Sequence, residues 1–396
     1  MVKIMVLLQM EFLSAELDEI KKVHLYRQLR LIEGEQQPTV AINGRKVINL
    51  CSNNYLGLAS YPQLKKSAKE AIDSYGCSAS ASRLICGNME LHERLEERIA
   101  QFEKREAALL FSTGYMANLG VISALMAKED VIFSDELNHA SIIDACHLSR
   151  AEIRAFPHKD VNALERLLSQ SRRSRRRLIV TEGLFSMEGD LAPLPQIVEL
   201  ATRYSSLVMV DEAHATGVLG HDGRGTGEHF GISGKIDIIM GTLGKTLGGF
   251  GAYIVGSKQL RDFLINRCRS FIFTTALPPS VLASALAALE IIQESPRLRE
   301  ELWQNVYFLK QGLKELGFAV RGEAHIIPLI IGEAELTMEM SEHLLAEGVL
   351  VQGIRPPAVP PGESRLRITP IATHTTGDLE RALAAFEKVG RELEVI

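Results

Sequence analysis

The chain has 396 residues, of which 46% are hydrophobic and 23% charged, a balance typical of a globular protein rather than a disordered one. Its 44 Lys and Arg nearly balance its 49 Asp and Glu, and the resulting net charge of −5 does not predict a nucleic acid or an acidic membrane surface as a partner. A short basic run at residues 172–177 is interpreted as a solvated loop.

The cysteine pattern and the hydropathy bear on the cellular compartment in which the protein is expected. Five cysteines, an odd number with no Cys-x-x-Cys pair, are typical of unpaired thiols in a reducing environment, and zinc-type spacing is absent, so we expect no metal. Residues 1–10 are apolar but too short for a membrane span, and they lack a signal-peptide cleavage pattern. We therefore predict a cytoplasmic protein without membrane association.

In chain order, helical spacing at residues 11–33 predicts a helix, and Asn43-Gly44 predicts the turn of a hairpin over residues 40–50. The middle of the chain then alternates short apolar runs with stretches of helical periodicity. The predicted strands are residues 107–111, 131–133, 153–156, 178–180, 207–210, 236–240 and 251–255. This alternation predicts an α/β fold with a largely parallel central sheet that is buried on both faces by helices.

The pattern of predicted elements changes after about residue 290, where helical stretches alternate with short strands. We therefore predict three parts. Residues 1–50 form an N-terminal arm of helix and hairpin, residues 51–290 a large ligand-binding domain, and residues 291–396 a smaller α+β domain.

Polar motifs follow three successive predicted strands, at residues 181–189, 211–214 and 241–249. In an open parallel sheet, ligands bind beyond the carboxyl ends of the strands. Lys245, among small residues, and Asp211, which leaves an apolar strand, suit a Schiff base to pyridoxal phosphate with a carboxylate on the pyridine nitrogen. Alone, either residue is better interpreted as a surface lysine or a turn-forming aspartate, but their combination favours the cofactor.

A phosphate site is predicted at residues 111–118, where a strand is followed by the N-terminus of a helix and Gly114 permits close backbone approach. Other nucleotide-type sites are disfavoured. The chain contains no Gly-x-x-x-x-Gly-Lys-Ser/Thr motif, and no Gly-x-Gly-x-x-Gly opens a first βα unit.

Four segments together resemble the α-oxoamine synthases, the fold-type I pyridoxal phosphate enzymes that condense an amino acid with an acyl thioester. They are Ser-Asn-Asn-Tyr-Leu-Gly-Leu at 52–58, Leu-Asn-His-Ala-Ser-Ile at 137–142, Asp-Glu-Ala-His-Ala-Thr-Gly at 211–217 and Gly-Thr-Leu-Gly-Lys-Thr-Leu-Gly-Gly at 241–249. The resemblance extends from about residue 20 to the end. It is loose at residues 77–83, where many family members are rich in glycine.

The resemblance implies a role for each matching position. Lys245 would form the Schiff base and move the α-proton, Asp211 would bind the pyridine nitrogen, and His139 would stack on the ring. The remaining implied cofactor contacts are His214, Ser186 and Glu182 around the ring, Gly114, Tyr115 and Thr242 at the phosphate, and Thr275 reaching the phosphate of a second subunit in a homodimer. The implied substrate contacts are Arg367 on the amino-acid carboxylate, with Asn53, Arg27 and Arg355 nearby.

Within the family, residues 354–360 and the Arg-Leu-Arg-Ile-Thr segment resemble members that join L-alanine to a pimeloyl thioester, of CoA or a carrier protein, in biotin biosynthesis. Arg27 would give the distal carboxylate of the pimeloyl chain a partner. The alternative is a member that joins glycine to acetyl-CoA, giving 2-amino-3-ketobutyrate. An aminotransferase of the same fold and a cofactor-binding regulator without activity also remain open, although a dead site tends to lose the lysine.

Overall fold

The N-terminal segment is partly helical and partly extended. The structure is a computed structural model that describes residues 10–23 and 25–396; residues 1–9, which open the predicted arm and hold most of its apolar stretch, lie outside the described part. Helix α1 (Glu11–Lys22) is shorter than the helix predicted over 11–33. The backbone after it is held by other partners, since Tyr26 O accepts a hydrogen bond from Arg355 and Glu33 pairs with Ala41.

The predicted hairpin is present. It consists of β1 (Thr39–Ile42) and β2 (Arg45–Asn49), which pair in antiparallel fashion around Asn43 and Gly44. Both turn residues have positive φ, 50° and 72°, as the Asn-Gly pair predicts.

Seven strands form the central sheet in the described part of the chain. They are β3 (Ala107–Phe111), β4 (Val131–Asp135), β5 (Glu152–Phe156), β6 (Arg177–Glu182), β7 (Leu207–Asp211), β8 (Ile238–Thr242) and β9 (Ala252–Gly256). Their order is β3-β9-β8-β7-β6-β4-β5, and only β9 runs antiparallel to its neighbours. The prediction of a largely parallel sheet is confirmed.

Helices cover both faces of this sheet. Successive residues of β7 show it, because Val208 and Val210 belong to one buried hydrophobic cluster and Met209 to another. The helices after α1 are α2 (Pro62–Tyr75), α3 (Glu90–Phe102), α4 (Gly114–Leu125), α5 (Ala140–Ser149), α6 (Val161–Gln170), α7 (Leu194–Tyr204), α8 (Thr226–His229), α9 (Lys258–Arg267), α10 (Arg269–Ile272), α11 (Pro279–Glu294), α12 (Pro296–Glu315), α13 (Ala334–Ala346) and α14 (Thr376–Glu392).

Two small sheets involve the C-terminal part of the chain. One has the order β10-β13-β12, formed by β10 (Ile327–Gly332), β12 (Gln352–Ile354) and β13 (Ser364–Ile368). In the other, β11 (Val349–Leu350) pairs in parallel with β2, so the N-terminal hairpin shares a sheet with the C-terminal region. The division into three parts, after residues 50 and 290, stays a prediction.

The basic run is tied to the protein surface. Arg175 makes two hydrogen bonds of 2.9 and 2.8 Å to the buried carboxylate of Asp130, and Arg172 lies over the ring of Tyr204. Arg177 donates to backbone carbonyls. None of the helices in the described ranges has the length and hydropathy that crossing a bilayer requires.

Candidate active site

A cavity of about 200 Å³ lies beyond the carboxyl ends of β6, β7 and β8. Eight of the residues predicted for the site line it together: Gly114, Tyr115, His139, Glu182, Asp211, His214, Thr242 and Lys245. Larger grooves of about 640 and 760 Å³ are open to solvent and lie away from these strand ends. The small cavity is therefore the candidate active site.

A chain of short hydrogen bonds runs from Lys245 into the protein. Lys245 Nζ lies 2.7 Å from His214 Nε2, and His214 Nδ1 lies 2.6 Å from the hydroxyl of Tyr55. The Tyr55 hydroxyl also contacts Asn53 Oδ1 at 3.0 Å. The lysine after β8, the histidine after β7 and the tyrosine before α2 thus form one connected polar row.

Burial lowers the pKa values of the two basic groups in this row, His214 and Lys245. Burial, reinforced by the charge of Lys245, holds the pKa of His214 well below its usual value, so its ring is neutral. Burial also lowers the pKa of Lys245 to about 8, although Asp211 and Glu182 act in the opposite direction. Lys245 is therefore available in part as a neutral amine near neutral pH, the form that attacks carbonyl groups and accepts protons.

Two carboxyl groups face the cavity from adjacent strands, since Glu182 of β6 is in register with Asp211 of β7. Asp211 accepts hydrogen bonds from Asn118 Nδ2 at 2.8 Å and from the backbone N–H of Ala213 at 2.9 Å. Glu182 accepts one from Ser186 N at 3.1 Å. Burial, together with the charge of Asp211, raises the pKa of Glu182 to about 8.

The N-terminus of α4 forms another wall of the cavity. Thr113 caps the helix by accepting a hydrogen bond from Met116 N at 3.1 Å, which leaves Gly114 and Tyr115 as the first-turn residues that line the cavity. Thr242 lies across from them and its hydroxyl donates to Gly251 O. The arrangement offers backbone N–H groups and a positive helix end to an anion.

His139 both caps a helix and lines the cavity. It is the N-cap of α5, where its Nδ1 accepts a hydrogen bond from Ser141 N at 3.2 Å, and its ring also lines the cavity. Burial lowers the pKa of His139. The neutral ring of His139, held in place because it caps α5, is available to pack against a flat ligand.

A buried arginine lies at the side of the cavity. Arg367 of β13 donates from Nε to Ser186 O at 2.7 Å and from Nη1 to Asn53 Oδ1 at 3.1 Å. Its Nη2 lies 3.4 Å from the Tyr55 hydroxyl. Asn53 and Ser186 thus lie around Arg367 rather than in the cavity lining.

Three further predicted residues lie outside the cavity and away from Arg367. Thr275 is exposed, and its carbonyl lies 3.5 Å from the hydroxyl of Ser112, just before the cap of α4. Arg355 is buried, and burial, with a smaller contribution from the charge of Arg27, lowers its pKa. Arg27 is exposed and near enough for its charge to act on Arg355, and neither arginine lines the cavity.

The sequence predicts no role for Tyr55, Asn118 or Ser141, which belong to the candidate site. Tyr55 and Ser141 lie inside the segments that resemble the family, and Asn118 lies in the predicted phosphate segment, one helical turn after Gly114 on α4. That spacing was the available signal, because residues i and i+4 share a helix face. Within the ranges described, no group of three or more His, Cys, Asp or Glu side chains could hold a metal ion.

Comparisons with known proteins define the class. The family model for aminotransferase class I and II matches residues 45–386, and the chain belongs to this family. The chain is also 53% identical over 387 residues to an 8-amino-7-oxononanoate synthase of Geobacter sulfurreducens, a match that covers 97% of this chain and 99% of that protein. The predicted membership of the α-oxoamine synthases is confirmed.

Solved structures agree with the fold. A serine palmitoyltransferase from S. paucimobilis with a bound PLP–myriocin aldimine superimposes with a TM-score of 0.93 at 34% identity, covering 98% of this chain and 99% of that one. An 8-amino-7-oxononanoate synthase from Francisella tularensis superimposes with a TM-score of 0.76 at 30% identity, covering 88% and 99%. The predicted fold-type I architecture is confirmed.

Proposed function

We propose that the chain condenses L-alanine with a pimeloyl thioester, releasing the free thiol and CO2 and giving 8-amino-7-oxononanoate for biotin biosynthesis. The observation that carries the proposal is the convergence of Lys245, Asp211 and His214 on one small cavity, with Arg367 beside it. The relatives of about 50% identity support the choice of reaction.

The residues of the cavity fit pyridoxal phosphate. The cavity offers a lysine amine, a carboxylate and a helix N-terminus, and Glu182 Oε1 and Asn118 Oδ1 are buried there without a protein partner. When bound, this cofactor supplies an electron-withdrawing ring that stabilises negative charge at the Cα of the amino acid. Lys245 would hold its aldehyde carbon, Asp211 its ring nitrogen, and Gly114, Tyr115 and Thr242 its phosphate.

Lys245 is the base and acid of the reaction. Its amine accepts the Cα proton of alanine, for which the lowered pKa provides the neutral form. A C–C bond then forms between Cα and the thioester carbonyl as the C–S bond breaks, and the alanine carboxylate leaves as CO2. The proton returns to Cα from Lys245, and the departing thiolate takes a proton from water. His214, neutral and 2.7 Å from Lys245 Nζ, orients the amine.

Arginines bind the two substrate carboxylates. Arg367 is buried, and its guanidinium is already fixed by Ser186 O and Asn53 Oδ1, so it is preorganised to bind the α-carboxylate of alanine. Arg27 and Arg355 would bind the distal carboxylate of the pimeloyl chain. An acetyl group has no carboxylate for this pair, and the pair therefore favours pimeloyl over acetyl donors.

The test is a thiol-release assay that crosses alanine, glycine and serine with acetyl- and pimeloyl-CoA. We expect the highest kcat/KM for alanine with pimeloyl-CoA and no release by Lys245→Ala. Preferential use of glycine with acetyl-CoA would favour the alternative family member, and keto-acid turnover without thiol release would favour an aminotransferase.

We further infer that the protein is cytoplasmic and that it forms a homodimer in which each active site includes residues of both chains. Support comes from Thr275, which is exposed near the cap of α4 and fills no space in its own cavity. A mixture of Lys245→Ala and Thr275→Arg chains should regain activity, because one site of the mixed dimer combines both intact residues. An inactive mixed dimer, or an active monomer in sedimentation, would contradict the shared site.

A further inference from the structure

His158 lies between two carboxylates outside the cavity. Its Nδ1 is 3.0 Å from Asp135 Oδ1, and its Nε2 is 3.1 Å from Asp190 Oδ2. An ionised carboxylate only accepts hydrogen bonds, so both ring nitrogens must carry a proton. The geometry therefore requires a protonated imidazolium, with its ring edge-on to Phe185 at a centroid distance of 4.4 Å.

The charges around this imidazolium favour the same form. Asp190 also accepts from Lys159 Nζ at 3.0 Å, which contacts Glu323 at 3.1 Å, and Asp135 accepts from the Lys159 backbone at 2.9 Å. The carboxylate of Glu136 accepts from His158 N. Burial alone would lower the pKa of His158, but the two carboxylates outweigh it and raise the pKa to about 9.

Asp190 ends a tight loop that begins at Glu182, here called the 182–190 loop. Phe185 N donates to Asp190 O at 3.0 Å, and Gly189 N to Phe185 O at 2.9 Å. Gly189 has a φ of 64°, and a Cβ on it would lie 2.3 Å from Ile326 O, so the loop is packed tightly against the strand region that holds β10. His158 and Lys159 therefore anchor one end of a closely packed loop.

The middle of the same loop determines where Arg367 points. Ser186 O accepts from Arg367 Nε at 2.7 Å, while Ser186 N is fixed by Glu182 at 3.1 Å. Arg365, two residues before Arg367 on β13, donates to Met187 O at 3.2 Å. A displacement of the loop would therefore move or release the guanidinium that faces the amino-acid carboxylate.

We propose that protonated His158 is a positioning residue for the amino-acid site, because it holds Asp190 and so fixes the 182–190 loop on which Arg367 is oriented. This inference rests on the proposed function for the role of Arg367. His158 does not line the cavity, so we expect its effect to be on amino-acid affinity rather than on the chemical step.

The test compares His158→Gln with a matched control, His221→Gln. His221 is also paired with a carboxylate, Asp222 at 2.8 Å, but its side chain is 96% exposed. With the holoenzyme at pH 7, we expect His158→Gln to weaken alanine binding roughly tenfold, measured from the visible spectrum, since one lost charge-assisted contact costs about that factor. KM for alanine should rise similarly, with kcat and KM for the thioester nearly unchanged.

Hydrogen exchange gives a readout that needs no substrate. Peptides covering residues 183–190 should exchange faster in His158→Gln, and the control should match the wild type. Asp190→Ala, which removes the carboxylate that His158 Nε2 contacts but leaves Asp135 in place, should produce the same two changes if His158→Gln does not fold. A positioning role does not predict a lower melting temperature without these two changes.

The outcomes separate this inference from the proposed function. A variant that melts at lower temperature but keeps wild-type exchange at residues 183–190 and wild-type alanine affinity would overturn the positioning role. Wild-type protein that releases no thiol with any amino acid would instead contradict the proposed reaction, while the exchange measurement would still decide whether His158 fixes the loop.

Discussion

Replacing Tyr55 with phenylalanine should separate the orientation of the catalytic groups from the stability of the fold. The Tyr55 side chain is fully buried, and its hydroxyl contacts His214 Nδ1, Asn53 Oδ1 and Arg367 Nη2. Removing the oxygen leaves the ring packing intact, including its edge contact with His325 at a centroid distance of 4.1 Å. The variant therefore removes hydrogen bonds and little else.

The size of the effect follows from which partners remain. Asn53 Oδ1 keeps its hydrogen bond from Arg367 Nη1, and Arg367 keeps Ser186 O, but His214 Nδ1 loses its 2.6 Å partner. One buried polar atom left unsatisfied costs about 1–3 kcal/mol. If that loss also frees the His214 ring beside Lys245 in the transition state, kcat should fall by roughly tenfold to a hundredfold.

Tyr253→Phe is the matched control. Tyr253 is also fully buried, and its hydroxyl donates to Glu103 Oε1 at 2.7 Å, but it does not line the cavity. Both variants should lose stability by a similar amount in denaturant unfolding, and only Tyr55→Phe should lose thiol-release activity. Equal kcat values for the two variants would refute the argument that Tyr55 orients His214 beside Lys245.

Three further results are expected. Asp211→Asn should keep the fold yet lower kcat by about a thousandfold or more, measured by thiol release, because the neutral side chain no longer favours a protonated ring nitrogen. Capture of pyridoxal phosphate by the cofactor-free protein, followed by visible absorption, should accelerate as the pH rises through about 8, since the attacking amine of Lys245 must be neutral. Arg367→Lys should raise KM for alanine about tenfold or more with a smaller change in kcat, because an ammonium cannot reproduce the forked contacts.

The central sheet could be predicted from the sequence because its strands are continuous apolar runs. Such runs are recognisable within a short stretch of sequence, without knowledge of distant residues. Each predicted strand of the sheet is present. The bounds of β3 match the prediction, and those of the others shift by one or two residues, as in β8 at Ile238–Thr242 against a prediction of 236–240. The pairing of β11 with β2 could not be predicted. It joins residues about 300 positions apart, and the two residues of β11 carry no periodicity of their own.

The residues of the candidate site also fall into those that the sequence could predict and those that it could not. Residues at strand ends, such as Asp211 and Lys245, could be predicted because topology brings the ends of parallel strands to one edge. Tyr55 and His158 could not, since their roles depend on contacts with residues far along the chain. Tyr55 meets His214 159 positions away, and His158 meets Asp190 32 positions away, and neither spacing leaves a local pattern.

The two carboxyl groups of the cavity illustrate how a fold gives neighbouring acids different hydrogen-bond partners. Glu182 and Asp211 end adjacent strands, but Asp211 receives two N–H donors, from Asn118 and Ala213, and Glu182 receives one, from Ser186. Burial and the nearby charge of Asp211 raise the pKa of Glu182 to about 8, so at neutral pH it is largely protonated. A protonated Glu182 can donate a hydrogen bond into the cavity, whereas the Asp211 carboxyl beside it is oriented by its two N–H donors.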